Sequence, residues 1–286
     1  MRYCIFILAS IVLSLVELRA QANLSGLDNR LDSVRKIVLA PIKYEVSYEY
    51  SYRRDALDTF DVRREPMLLQ LSDSHLRFVS VNLYAADTLQ DNAYHRGVQS
   101  FMEIMAPWRR YRSLARYDEQ LTCDLGTKSL HANVPIVLDN WYYTEEMPRQ
   151  EWTLLEGDSV IMGYVCHRAS TSFRGRSYVA YYAPDIPLPY GPWKFGGLPG
   201  LILSVADEGG NHTYTAVGLE EVKAYRPLYR PVLNREKKSS RKEVLGMQAN
   251  YAKNPSMVLG NIPGVRIDPK DLAELKPRPH NPQELE

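Results

Sequence analysis

A mainly β fold, one curved antiparallel sheet or half-barrel with a few peripheral helices, is what this sequence predicts, and three observations carry the prediction. From Ile42 to Tyr52 apolar and polar residues alternate with a period of two, the mark of a strand with one buried face. Short segments of the same kind recur with turn-forming residues between them, and no helix–strand alternation of the sort that builds a parallel sheet is present. The 45% hydrophobic content over 286 residues is enough for a substantial core and excludes disorder of the whole chain.

The first segment stands apart. Arg2 precedes the apolar run Ile5 to Val16, and Ala20-Gln21-Ala22 supplies a small-x-small cleavage pattern, so residues 1–22 read as an export signal. The run is shorter than the roughly 20 residues a membrane-spanning helix needs, and no later segment is long enough either. Cys4 lies ahead of the apolar run and leaves with it. Without Arg2, Glu17 and Arg19 the chain carries 33 basic and 33 acidic residues. A neutral chain lacks the basic field that nucleic acid requires. Cys123 and Cys166 remain, a candidate disulfide in an oxidising compartment; the alternative is a buried thiol and a loop thiol.

In the opening strand Ile42, Tyr44, Val46, Tyr48, Tyr50 and Tyr52 share one face, with Lys43, Glu45, Ser47, Glu49 and Ser51 on the other. Met67–Leu71 and Leu76–Leu83 read as two more strands joined by the turn formers Ser72-Asp73-Ser74. Between Asp91 and Met105 the period becomes helical through Val98, Phe101, Met102 and Met105, and Pro107 closes that helix. Arg109, Arg110, Arg112 and Arg116 follow around Trp108 and Tyr111, either an anionic lipid or sugar site or simply a solvated face. Strand character returns at Glu151–Leu155 and peaks over Val160–Cys166. A turn at Phe173-Arg174-Gly175-Arg176 sends Ser177–Tyr182 back as a hairpin.

Pro184, Pro187, Pro189 and Pro192 then hold an extended stretch outside any sheet, since proline lacks the ladder donor. It leads into GPWKFGGLPGLIL, residues 191–203. Pro192 and Pro199 restrict this loop, Gly196, Gly197 and Gly200 permit backbone angles that other residues resist, and Leu198, Leu201 and Leu203 are available to bury. The run Gly197, Leu198, Pro199, Gly200, Leu201, Ile202 is therefore read as a tight, structural lead-in to a central strand rather than a ligand cradle. Leu201–Ala206 and His212–Val217 form a second hairpin about Asp207-Glu208-Gly209-Gly210-Asn211. From Val222 to Val244 eight basic residues face two acidic ones. The capping box Ser240-Arg241-Lys242-Glu243 starts a helix that runs to Pro255. Residues 23–254 thus form a single β-rich domain, and residues 255–286, with six prolines, an extended or mobile tail.

The search for chemistry returns little. There is no G-x-S-x-G nucleophile elbow, no Lys-Ser/Thr pair behind the glycines as a phosphate loop needs, and no dinucleotide fingerprint between strand and helix. His75, His95, His131, His167, His212 and His280 are scattered. The Cys166-His167 dipeptide points to opposite faces of a strand and cannot converge on a metal. Asp185 and Asp207 flank the proline-rich stretch and read as turn residues rather than a carboxylate pair. Cys166 is the one nucleophile worth naming, with no neighbouring base in sequence. No catalytic, cofactor or metal residue is assigned.

The motif and its surroundings resemble the GLPGLI family, exported proteins of Gram-negative bacteria. The likeness runs through Val160-Ile161-Met162-Gly163-Tyr164-Val165-Cys166, Ala169, Phe173, Gly175-Arg176, Tyr178, Ile186-Pro187, Gly191-Pro192, Lys194-Phe195 and the motif itself, and the ending Asn281-Pro282-Gln283-Glu284-Leu285-Glu286 is similar to the family's. The chain departs at Tyr181-Tyr182-Ala183, where relatives carry Trp, an aromatic and Thr. The resemblance implies a periplasmic or outer-membrane-peripheral location and no activity. The strand order is also similar to the half-barrels of periplasmic lipoprotein carriers, in which a curved sheet covers an apolar pocket; fold of itself does not fix function. The resulting expectation is a non-catalytic binding or carrier protein for a hydrophobic ligand such as lipid, lipoprotein or peptide. The alternative is an accessory subunit of an outer-membrane transporter or secretion assembly, its basic segment and proline-rich tail ordering on a partner. An enzyme is the third and weakest reading.

Overall fold

The computed structural model describes residues 30–262 and 267–286; the expected export signal and Cys4 lie outside them. The strands are β1 (Lys36–Pro41), β2 (Tyr44–Arg53), β3 (Val62–Leu71), β4 (His75–Ser80), β5 (Gln120–Asp124), β6 (Ser129–Ile136), β7 (Asp139–Glu146), β8 (Thr153–Ile161), β9 (Tyr164–Phe173), β10 (Arg176–Ala183), β11 (Leu201–Asp207), β12 (His212–Glu221), β13 (Pro227–Pro231) and β14 (Glu236–Lys238). The helices are α1 (Val81–His95), α2 (Met105–Leu114), α3 (Arg241–Lys253), α4 (Pro255–Gly260) and α5 (Pro269–Glu274). Twelve strands make one curved, open sheet in the order β14-β7-β6-β5-β4-β3-β2-β12-β11-β10-β9-β8, mainly β as expected and not closed into a barrel. All neighbours are antiparallel except β14 on β7. β1 and β13 pair separately.

The sheet has two faces of different character. Alternation along β2 puts Val46, Tyr48 and Tyr50 on an inner face where all three are buried, continued across register by Leu69, Phe78, Leu121, Ala132 and Tyr143. The largest core cluster lies here and draws in Ile186, Trp193, Phe195 and Leu198 from the loop before β11, and Val244 from α3. On the outer face Leu68 and Val79 pack against Leu83 of α1. Arg77, fully buried on β4, is held there by Gln120 at 3.1 Å and lies 4.0 Å from the Tyr229 ring. Asp87, 3.8 Å away, answers the charge and the Tyr229 ring the flat face, although Nε and Nη1 have no hydrogen-bond partner among the described residues.

Several boundaries differ from the sequence expectation, each for an identifiable reason. The strand expected over Leu76–Leu83 stops at Ser80, whose hydroxyl accepts from the Asn82 and Leu83 amides and caps α1. The helix expected over 91–105 is two helices. Gly97, at φ 83°, ends the first stretch, and Pro107 sits in the first turn of α2, where a missing N–H costs nothing. The hairpins β5–β6–β7 carry no element in the sequence reading because their alternation mixes Gln, Thr, His and Asn with apolar residues. The candidate disulfide is corrected. Cys123 on β5 and Cys166 on β9 are both free and buried, with six strands between theirs in the sheet order. Each thiol instead donates to a local carbonyl, Asp124 O and Tyr164 O, at 3.4 Å. Finally, the segment after Pro255 is not a loose extended tail: it contains α4 and α5, and Gln283 and Glu284 are buried against the inner face.

Leu201 opens β11, an interior strand, and Gly200 brings its backbone against β10 so closely that a Cβ there would lie 2.2 Å from the Ala183 carbonyl oxygen. Nothing lies within 4 Å of a Cβ placed on Gly197, whose φ is 86°. Gly200→Ala is therefore expected to destabilise by about 3 kcal/mol through overlap with fixed backbone, and Gly197→Ala by about 1 kcal/mol through its left-handed φ alone. Urea melts of the two variants check this; equal losses would remove the close approach as the reason for Gly200.

Candidate functional site

Lys194 is the feature around which the inner face is organised. It lies in the turn Pro192-Trp193-Lys194-Phe195, closed by the Phe195 amide donating to Pro192 O at 3.1 Å. Trp193 adopts φ 54°, a left-handed conformation that costs a non-glycine residue on the order of 1 kcal/mol. That turn aims the lysine into the core, where its side chain is fully buried. The ammonium has three N–H groups, and three acceptors meet them: the Tyr143 hydroxyl at 3.0 Å, Glu145 Oε1 at 2.8 Å and Glu284 Oε1 at 2.5 Å. Strand alternation on β7 supplies the first two from one face. The third comes from the far end of the sequence. Arg241, the first residue of α3, adds a bond to Glu284 Oε2 at 2.7 Å, and Arg174 one to Glu145 Oε2 at 2.9 Å.

A second polar chain runs from this cluster along the tyrosines. Glu119 accepts from the Tyr117 hydroxyl at 2.5 Å and from the more distant Tyr143 hydroxyl at 3.4 Å; burial pushes its carboxyl above the usual range, and the Lys194 charge opposes that rise. Tyr117 also donates to Gln283 Oε1 at 3.2 Å, and Gln283 Nε2 donates to the Tyr214 hydroxyl at 2.7 Å. Tyr214 stacks on Tyr50 at 4.3 Å between ring centroids, and the Tyr50 hydroxyl bonds His212 Nδ1 at 2.8 Å. Burial pushes every one of these phenols above its ordinary value, so they act as neutral hydrogen-bonding groups.

Between this layer and residues 279–284 lies a cleft of about 300 Å³, lined by Tyr50, Tyr52, Tyr117, Tyr143 and Trp193, with Arg53, Arg54 and Arg116 around it. A second cleft, about 370 Å³, lies beside the motif loop between Leu76, Leu125, Met147 and Tyr190 and touches Gly196 and Gly197. Gly197 of the motif and the preceding Gly196 thus border the second cleft, and Lys194 borders neither but fixes the wall of the first.

The other sequence candidates are dispersed. Asp207 is buried at the β11–β12 turn, accepting from His212 N at 2.7 Å and Arg176 Nη1 at 3.1 Å, whereas Asp185 lies exposed in another turn. His167 meets Asp158 at 2.8 Å on the surface. Burial pushes the Cys166 thiol up, the reverse of an activated nucleophile. Of the arginine cluster, Arg112 stacks on Trp108 at 5.6 Å, and Arg110 and Arg116 are exposed. Five of the eight basic residues after Val222 are paired within the chain, Arg226 by Glu45 and Glu220, Arg230 by Glu236, Arg235 and Lys237 by Asp139, and Arg241 by Glu284, while Lys223, Lys238 and Lys242 are exposed. Among the described residues no group of three His, Cys, Asp or Glu is placed to hold a metal ion, and no helix is long and apolar enough to cross a membrane. Glu145 and Glu119 escaped the sequence reading, and Lys194 and Glu284 entered it only through the family resemblance, with no role assigned. The available signal was a single lysine between two aromatics inside a glycine–proline frame, which is a costly place for a charge unless it is buried and paired.

No protein-family model and no curated protein matches the chain. Among solved structures it is similar to PNGF-II, seen in P21 and C2 space groups, at 12% identity over 72% of this chain with a TM-score of 0.47. The chain spans about a third of the length of those structures, 33% and 32%.

His212 gives the site a pH signature. Burial, then the Arg176 charge, lower its value to about 4 from an ordinary 6.5, against a smaller upward pull from Asp207. The unfolded chain therefore binds a proton between pH 6.5 and 4 that the folded chain refuses, so this contribution is complete above pH 6.5 and is lost as pH falls. Between pH 7 and 5 the loss amounts to about 2 kcal/mol. Urea melts at both pH values should show it, and His212→Gln should remove that part of the slope; an unchanged slope would mean that the imidazole is not held neutral.

Proposed function

We propose that this protein is a non-catalytic, exported binding or carrier protein of the GLPGLI family, acting in the periplasm or at the outer-membrane periphery, and that its ligand is hydrophobic. The observation that supports this reading is the tyrosine-lined cleft between the inner face of the sheet and residues 279–284. Its five aromatic side chains offer flat apolar walls, four of them with hydroxyl tips, a common composition for a ligand site. A volume of about 300 Å³ is at the small end for such sites. It suits one ring or the end of an acyl or side chain, with the remainder of the ligand lying along the mouth. The arginines around the cleft favour ligands with an acidic group there. The accessory-subunit reading rested on a basic segment and a tail awaiting a partner. Five of the eight basic residues and residues 281–286 have contacts inside this chain, which supports the carrier reading over it.

The test is a titration with a dansylated medium-chain fatty acid, read by energy transfer from tryptophan. Saturable, one-site binding is expected, weakened at least tenfold in Tyr52→Asp, which places a charge where an aromatic wall stood. Non-saturable partitioning, or binding indifferent to Tyr52→Asp, would reject the cleft as the site.

A further inference from the structure

The segment Asn281–Glu286 lies on the inner face as a bound peptide lies on its receptor. Arg176, on β10, donates to the Pro282 carbonyl through Nε at 3.1 Å and Nη2 at 2.6 Å, and to Asn281 Oδ1 at 2.6 Å. The Tyr178 hydroxyl donates to the Gln283 carbonyl at 3.3 Å, and the Leu285 amide donates to Arg174 O at 3.0 Å. Apart from the bond to Asn281 Oδ1, these are contacts to main chain, which hold any extended strand. The side chains are read separately. Gln283 is bracketed by Tyr214 and Tyr117, one taking its N–H and the other offering an O–H, and each carboxylate oxygen of Glu284 has its own cation, Lys194 or Arg241. A Cβ on Gly175 would meet Leu285 Cβ at 2.9 Å, so the groove floor is cut to the segment.

The burial pattern is that of polar recognition rather than apolar packing, although the Lys194–Glu284 pair also contributes to stability. A segment held by the hydrophobic effect buries its apolar side chains. Here Gln283 and Glu284 are buried, while Leu285 is 56% exposed. Residues 276–280, which lead in, are exposed, with Arg278 held to α3 by its amide on Ala252 O at 2.8 Å and its guanidinium 5.5 Å from the Tyr251 ring. The segment is thus joined through a short exposed connection and fixed by polar contacts whose partners belong to other elements.

We propose that the groove formed by Arg174, Arg176, Tyr178, Lys194, Tyr214 and Arg241 is a peptide-recognition site, filled in cis by Asn281–Glu286. In trans it takes an extended peptide from another protein that carries a proline, a side-chain amide and a carboxylate in succession. The main-chain contacts supply register and the Gln- and Glu-reading contacts supply selectivity, as in other modes of strand recognition. A short tether gives the resident segment an effective concentration in the millimolar range, so an outside peptide competes poorly until the resident is weakened. This inference stands on the segment's own contacts and does not need a hydrophobic ligand in the neighbouring cleft.

The experiment uses the full chain carrying Gln283→Ala and Glu284→Ala, titrated with fluorescein-labelled Asn-Pro-Gln-Glu-Leu-Glu amide and read by anisotropy. Saturable binding is expected, at least tenfold tighter than to the wild-type chain. It should weaken at least tenfold when the peptide carries Ala for Gln and Glu, or when Arg241→Gln is added to the protein. Equal binding of a scrambled peptide would show attraction by charge alone and overturn the proposal. So would dimers formed by exchange of segments, which assign the groove to a second copy. If the doubly substituted chain does not fold, the wild-type chain is used: excess peptide should accelerate hydrogen exchange at the Leu285 amide and leave the β2 amides unchanged. No change at Leu285 overturns the proposal as well. Retention of the fatty-acid probe by a chain that binds no peptide would reject this inference and leave the proposed function standing.

Discussion

A single ammonium group, that of Lys194, sets the terms for the inner face of this protein. Taking a lysine out of water costs several kcal/mol, and the cost is offset only when each N–H has an acceptor and the charge has counter-charges. Both conditions are met here by Tyr143, Glu145 and Glu284. Two of the three come from β7 and the third from a segment ninety residues on from the lysine. The requirement to pair one charge therefore ties together the motif loop, the first half of the sheet and the end of the sequence. Removing either carboxylate would leave a buried cation with an unused donor, a worse state than an apolar residue in the same place.

That constraint produces a face that is polar at its centre and aromatic at its margins. The loop before β11 supplies Trp193 and Phe195 on either side of the lysine, and these pack with Phe173 and Tyr178 at centroid distances of 4.8 to 5.8 Å. Beyond them the tyrosines of β2 and β12 form a stacked layer, and Gln283 links the Tyr214 hydroxyl of β12 to that of Tyr117. An open sheet of this kind exposes an apolar inner face unless something covers it. In this chain the cover is the proline–glycine loop together with residues 279–286, and the gap left between cover and tyrosine layer is the cleft. Binding function and closure of the fold thus share the same residues.

Much of this architecture was legible in the sequence. The two-residue period from Ile42 to Tyr52 put Val46, Tyr48 and Tyr50 on the buried face of β2, although Glu45 on the opposite face is buried too, held by Gln70 and Arg226; the capping box at Ser240 marked the start of α3, where Ser240 and Glu243 exchange both bonds. The leucines of the motif are buried as its composition suggested. What was not legible was long-range pairing. Nothing local to Lys194 reveals that Glu284 will reach it, and a segment rich in proline and charge reads as mobile when its partners are elsewhere in the chain. The strands β5 to β7 were hidden for a related reason: Gln120, Thr122, Asn133 and Glu145 are polar residues at buried or half-buried positions, and Gln120 and Glu145 are held there by Arg77 and by Lys194 and Arg174 rather than by their own hydropathy. The two cysteines made the opposite error easy, because compartment and count suggested a bond that the strand order does not provide.

The most direct test of this account is a double-mutant cycle between Lys194 and Glu284, using Lys194→Met, Glu284→Gln and the pair, with unfolding free energies from urea melts. If the buried ammonium anchors the segment, the single variants each cost several kcal/mol and the pair costs less than their sum by at least about 2 kcal/mol. Costs that add to within about 0.5 kcal/mol would show that the two residues do not depend on each other. The organisation of the inner face would then need another cause.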